Sequence, residues 1–179
     1  VRFIHFATAY VFFFNMILRV YWSFVGNKFS SWRAFWPFSK KMWRNFLHVI
    51  KVDVFLANEK KPALFVSIHF NAALNPDAQG IEVFYYPSLS DKKRATKSRC
   101  LAQLVLKQLL MRTTAKSRGV KQGNFAVIRE TQMAAILVES GFLTNESELQ
   151  KIKEPTYLKK IAKGITDGID NYLRTQKNL

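Results

Sequence analysis

From Pro62 to the C-terminus, short apolar runs alternate with longer stretches of helical periodicity. The runs "ALFVSI" (63–68), "IEVFYY" (81–86), "FAVI" (125–128) and "AAILVE" (134–139) have the length and composition of strands. Between the second and third, residues from about 93 to 112 place Leu101, Leu104, Val105 and Leu109 on one helical face. A last helix is expected over about 156–174, where Leu158, Ile161, Ala162, Ile165, Ile169, Tyr172 and Leu173 keep the same spacing. Strands interleaved with helices predict an α/β fold with a mainly parallel sheet flanked by helices. Gly119, Gly123 and Gly141 read as turn residues, because no strand–GxGxxG–helix or Walker pattern surrounds them.

The pattern before Pro62 is of another kind. Phe3–Val25, "FIHFATAYVFFFNMILRVYWSFV", is apolar on every face and long enough to cross a bilayer as one helix. His5, Asn15 and Arg19 interrupt it, and each would need protein, a cofactor or the interface as surroundings. Lys28, Arg33, Lys40, Lys41, Arg44 and Lys51 follow with no acid among them, interleaved with Trp32, Trp36 and Trp43. Such a segment suits the headgroup layer and, by the positive-inside rule, the cytoplasmic face. The expected organisation is therefore a membrane-helix and basic segment over 1–61, followed by a second unit over 62–179.

Composition sharpens that division. All four tryptophans and 17 of the 26 aromatic residues lie in residues 1–61, which places the break near Phe55–Pro62. The formal net charge of +16 attracts anions, but no reading helix, RNA-binding signature or zinc finger accompanies it. No specific nucleic-acid partner is expected, and the sequence sets no oligomeric state. The single cysteine, Cys100, excludes an intrachain disulfide, and before "LAQLVLKQLL" it reads as a packed helix residue.

Two of the strand-like runs end in chemically useful residues, His69 and Glu139. On parallel strands both would reach the carboxyl edge of the sheet, where α/β folds place their sites. A neutral imidazole can bind zinc, and a nearby carboxylate can take a proton from zinc-bound water. A histidine ending a strand also serves as a hydrogen-bonded structural residue, so neither residue decides alone. Together, "LFVSIHFNA", "GIEVFYY", "SRGVKQGNFAVIRET" and "ILVESGFLTNESE" resemble, in order and spacing, the zinc-dependent N-acetylmuramoyl-L-alanine amidases. The resemblance covers residues 62–179, corresponding to the C-terminal two-thirds of that catalytic domain. It implies that His69 is a zinc ligand and Glu139 the catalytic carboxylate. It also implies peptidoglycan as partner, cleavage of the amide between N-acetylmuramic acid and L-alanine, and a place in a bacterial cell envelope. Arg118, Asn124 and Arg129 are expected near the site, and Ala134 stands where the family usually has proline.

Catalytic zinc needs three protein ligands and an open position. The family takes its other two from an upstream "GHGG"-like motif and a later glutamate, and this sequence contains neither motif. The zinc site is expected to be incomplete and hydrolysis impaired. In their place, "RFIHFATAYVFFFNMILRVYWSFVGNKFS" resembles the second span and following loop of the b-type cytochrome subunit of nickel-iron hydrogenases, over about residues 1–57. That resemblance implies His5 as a haem ligand and, as an alternative function, haem binding and electron transfer in the membrane. A bis-histidine haem draws ligands from several spans, so this chain alone is not expected to bind haem b. His48 reads as an interfacial residue of the basic segment. The simplest account is a joined or misassembled chain, with membrane attachment through residues 3–25. A cytoplasmic basic segment would leave residues 62–179 on that side too, whereas peptidoglycan lies outside.

Overall fold

The computed structural model describes residues 52–177. The expected membrane helix, His5, His48 and almost all of the basic segment lie outside them. Among the described residues no helix is long and apolar enough to cross a membrane.

A helix over residues 52–60 (α1) is followed by β1 (Leu64–Asn71), β2 (Ile81–Tyr85), α2 (Lys92–Thr113), β3 (Ser117–Gln122), α3 (Ala126–Arg129), β4 (Ala134–Phe142), α4 (Glu146–Lys153) and α5 (Pro155–Lys177). The strands form one sheet in the order β1-β4-β2-β3. β1 runs parallel to β4 and β2 parallel to β3, but β2 is antiparallel to β4. The sheet is thus mixed, which corrects the expectation of a mainly parallel one. The apolar runs do not encode direction, because a strand buried on both faces has the same composition either way.

Two further differences concern "FAVI". Residues Ala126–Arg129 form one helical turn behind an extended Phe125, closed by Arg129 N–H donating to the Phe125 carbonyl at 2.9 Å. The run is too short to hold a ladder, and the turn lets Ile128 bury completely against Ala135 and Leu137. The fourth strand is instead "SRGVKQ", with no apolar alternation to announce it. It can be polar because it sits at the edge of the sheet, where its outer side meets water.

One sheet face carries the main core. Ile81, Val83, Ile136 and Val138 pack beneath Leu101, Val105 and Leu109 of α2 and Ile161 and Ile165 of α5. The opposite face has the smaller cluster of Ile128, Ala135 and Leu137, with Phe65 and Phe84 packed against it. Strand alternation places Ser67, His69, Asn71, Glu82 and Glu139 on this thinly covered face. Helix α1 belongs with this unit: Asn58 donates to the Glu130 carbonyl and accepts from Gln132 N–H, both at 2.9 Å. Val54 and Ala57 on the same helix are buried.

The short helix α4 has no counterpart among the elements expected from sequence. Asn145 caps it by accepting from Glu148 N–H at 3.1 Å. Glu148 is buried and accepts from Gly80 N–H at 2.9 Å and Phe142 N–H at 2.7 Å. One carboxylate thereby ties the start of β2 to the end of β4.

Candidate active site

His69 and Glu139 are register partners across the parallel β1–β4 ladder, and Glu82 is the register partner of Glu139 across β2–β4. Adjacent strands lie about 5 Å apart, so the three side chains form a row on one face. Sequence reasoning placed the first two together by their strand ends, and the structure brings them side by side. His69 is exposed, and its Nε2 lies 3.0 Å from Ser67 Oγ, two residues away on the same face. The Glu139 Oε2 atom is buried and has no hydrogen-bond partner among the described residues.

The two carboxylates in the row behave oppositely. Burial pushes the Glu139 carboxyl up, and the neighbouring charge of Glu82 pushes it further, to about 7. Burial would also raise Glu82, but hydrogen bonds and charges from Lys121 and Arg118 outweigh it and hold that carboxyl below its ordinary value. Glu82 Oε2 accepts from Arg118 Nε at 2.8 Å and Lys121 Nζ at 2.6 Å, and Oε1 accepts from Asn71 Nδ2 at 2.8 Å. Glu82 is fixed as an anion, whereas Glu139 sits where it can gain or lose a proton near neutral pH.

This difference predicts a pH effect on folding. The raised Glu139 value means that the folded state favours the protonated acid. Its stabilising contribution is complete below about pH 4.5 and is lost as pH rises through about 7. Glu139 is only half-buried, and solvent screening reduces the expected effect to about 1–2 kcal/mol. In chelator, Glu139→Gln is therefore expected to match the parent near pH 5 and exceed its stability by that amount near pH 8. Urea unfolding of both proteins at the two pH values checks this, and equal stability at pH 8 would contradict it.

The other expected residues separate. Arg118 joins the row through Glu82, but Arg129 donates through Nη1 to Asn124 Oδ1 at 2.8 Å and through Nε to Glu130 Oε1 at 2.7 Å. Glu82 was the missed member. Its signal was an acid at an alternate position inside the apolar run "GIEVFYY", since a buried charge requires partners.

The donor set fits zinc only in part. His69 is an accessible imidazole, and the partnerless Glu139 oxygen beside it suits an accepted proton. Glu82 is taken up by three donors and is not free to coordinate. Among the described residues no three His, Cys, Asp or Glu side chains group as a metal site. These residues supply one ligand of the three that catalytic zinc requires.

Fold and site together define an α/β domain with an imidazole and a carboxyl of raised pKa on adjacent strands. The N-acetylmuramoyl-L-alanine amidase family matches residues 46–171, and the chain belongs to that family. It is 37% identical over 118 residues to an uncharacterized cell wall amidase of Bacillus anthracis, covering 65% of this chain and 22% of the relative. It is 36% identical over 111 residues to the N-acetylmuramoyl-L-alanine amidase LytC of Bacillus subtilis, covering 62% and 22%. The crystal structure of an N-acetylmuramoyl-L-alanine amidase from Clostridium difficile 630 superposes with a TM-score of 0.65 at 40% identity, covering 70% of this chain and 65% of that one. The chain thus spans under two-thirds of the length of each. The family match begins inside the stretch read as cytochrome-like, and α1, which starts in that stretch and runs past its end, is bound to the amidase unit through Asn58. The hydrogenase resemblance over residues 1–57, with its haem reading of His5, draws no support from these relatives.

Proposed function

We propose that this chain carries the proton-handling part of a peptidoglycan amidase site, which cleaves the bond between N-acetylmuramic acid and L-alanine. Glu139 accepts the proton of the attacking water and returns it to the leaving amine, and His69 is one zinc ligand. The observation that supports this most is the Glu139 carboxyl, beside His69, with one buried oxygen unpartnered and a pKa of about 7. A group that titrates near the working pH performs both halves of such a transfer. The described residues do not complete a three-ligand zinc set, so no step is routed through the metal. Residues 62–179 together with α1 are proposed as a truncated catalytic domain, and the residues before α1 as a membrane-helix and basic segment attaching through 3–25. The composition break supports this division, and the cell-wall relatives support a bacterial cell-envelope location.

The test is a graft. The 179-residue chain with added zinc is expected to release little or no peptide from purified peptidoglycan. Replacing residues 1–51, ahead of α1, with an amidase segment that carries a histidine and a glutamate ligand is expected to raise release at least about a hundredfold, the scale of a completed metal site. Robust release by the unmodified chain would show that residues such as His5 or His48 complete the site. A graft that folds and binds zinc without releasing peptide would overturn the proposal.

A further inference from the structure

The Glu82 cluster contains a guanidinium whose placement the proton chemistry does not use. In a regular strand Arg118 and Lys121, three residues apart, would face opposite sides of the sheet. Both nevertheless reach the same oxygen of Glu82. The cause is a bulge: Ile81 pairs with Ser117 but Glu82 pairs with Gly119, so Arg118 is the extra residue on β3. Gly119 takes φ +86°, a conformation glycine adopts without strain, and no atom lies within 4 Å of where a Cβ would stand. Bulges of this kind re-aim a side chain beside a site.

The re-aimed Arg118 is held at two points. Its Nε donates to Glu82, which is 97% buried, and its Cζ stands 4.9 Å from the centroid of the Phe142 ring. Phe142 is itself fixed by the Glu148 carboxylate on its backbone N–H. The two Nη groups make no hydrogen bond among the described residues. A planar fork with its inner nitrogen and one face occupied presents its outer edge, which matches a carboxylate in bidentate geometry. Lys121 and Arg118 balance Glu82 and the neighbouring Glu139 when both are ionised, so the unpaired edge of the fork is open to an anion without net repulsion.

We propose that Arg118 is a specificity-determining residue that binds a carboxylate of the peptide whose amide bond is cleaved. This rests on the amidase reading of the site. The lactyl carboxyl of the muramic acid is consumed in the scissile amide, so the anionic groups nearest that bond belong to the peptide. Glu82 acts here as the positioning residue, and Asn71 on the same carboxylate couples the fork to the end of β1 that carries His69.

The experiment is equilibrium binding by calorimetry to the full chain without added metal. The probes are N-acetylmuramoyl-L-alanyl-glutamate and the same compound with both glutamate carboxyls as carboxamides. The parent is expected to bind the acid about tenfold more tightly, in keeping with one charge-assisted pair. Arg118→Gln is expected to abolish the preference while keeping affinity for the carboxamide, and Arg118→Lys to keep part of it. Arg129→Gln, whose arginine is engaged with Asn124 and Glu130, is expected to keep all of it. Equal binding of the two probes by the parent overturns the assignment without touching the amidase reading. So does a preference that survives in Arg118→Gln, or one lost equally in Arg129→Gln. Failure of the parent to bind either probe overturns the assignment and the substrate reading together.

Discussion

In the grafted protein, Glu139→Gln is expected to fold, to bind zinc and to lose about a thousandfold in peptide release, the middle of the range for a general acid–base group. Glutamine keeps the shape and the β4 packing of Glu139 but can neither accept nor return a proton. His69, one strand away, supplies the metal donor and is unchanged by the substitution. Zinc stoichiometry should therefore match the parent graft while turnover falls. The parent graft should also show an acidic limb in its rate, set by the Glu139 carboxyl and displaced below its metal-free value of about 7 by the zinc charge beside it, with activity rising as that group ionises to become the base. The limb should disappear from the residual rate of Glu139→Gln. Retention of more than about a tenth of the activity would remove Glu139 from the chemistry, because positioned proton transfer contributes at least about a hundredfold. Loss of zinc along with activity would instead make Glu139 a ligand.

The second large effect is expected far from the site. Helices α2 and α5 approach so closely that a Cβ on Gly168 would stand 2.5 Å from Val105 Cα and 2.9 Å from Val105 Cγ2. A Cβ on Gly164 would stand 2.9 Å from Leu109 Cα. The nearest obstacle at Gly168 is backbone, which cannot turn aside as a side chain can. Gly168→Ala must separate the helices where Leu101, Leu109, Ile161 and Ile165 are packed to near-zero exposure. Overpacking of this kind costs about 3 kcal/mol, and alanine returns about 1 kcal/mol of helix propensity. A net loss of about 2 kcal/mol is expected by urea unfolding. Val105→Ala in the same protein should not restore it, since the clash with the backbone of residue 105 remains. Unchanged stability of Gly168→Ala would show that the helices have room to part.

How far the site could be read in advance depended on which residues carry local signals. His69 and Glu139 end apolar runs, and a polar residue at such a place stands out against its neighbours. Glu82 lies inside a run and becomes meaningful only through its partners, which come from β1 and β3. Arg118 was noticed as a nearby base, but its aim depends on a bulge that no periodicity announces. Glu148 stood in "TNESE" as one acid among several, and only the meeting of β2 with β4 makes it a clamp.

By itself the sequence determined that the chain has two unlike parts and that the second alternates strands with helices. It also determined which two residues close the apolar runs, although β1 and β4 continue past them, and which motifs carry the amidase resemblance. These follow from composition and short-range period, which the chain carries locally. Only the tertiary structure decided that β2 runs against β4, that "SRGVKQ" is a strand, and that "FAVI" closes into a helical turn. It alone placed Glu139 between an exposed imidazole and a fixed anion. The reason is physical: strand direction, edge pairing and the charge around a buried carboxylate are set by contacts between residues far apart in sequence. One apolar run or one acid is compatible with several of those arrangements until the sheet is assembled.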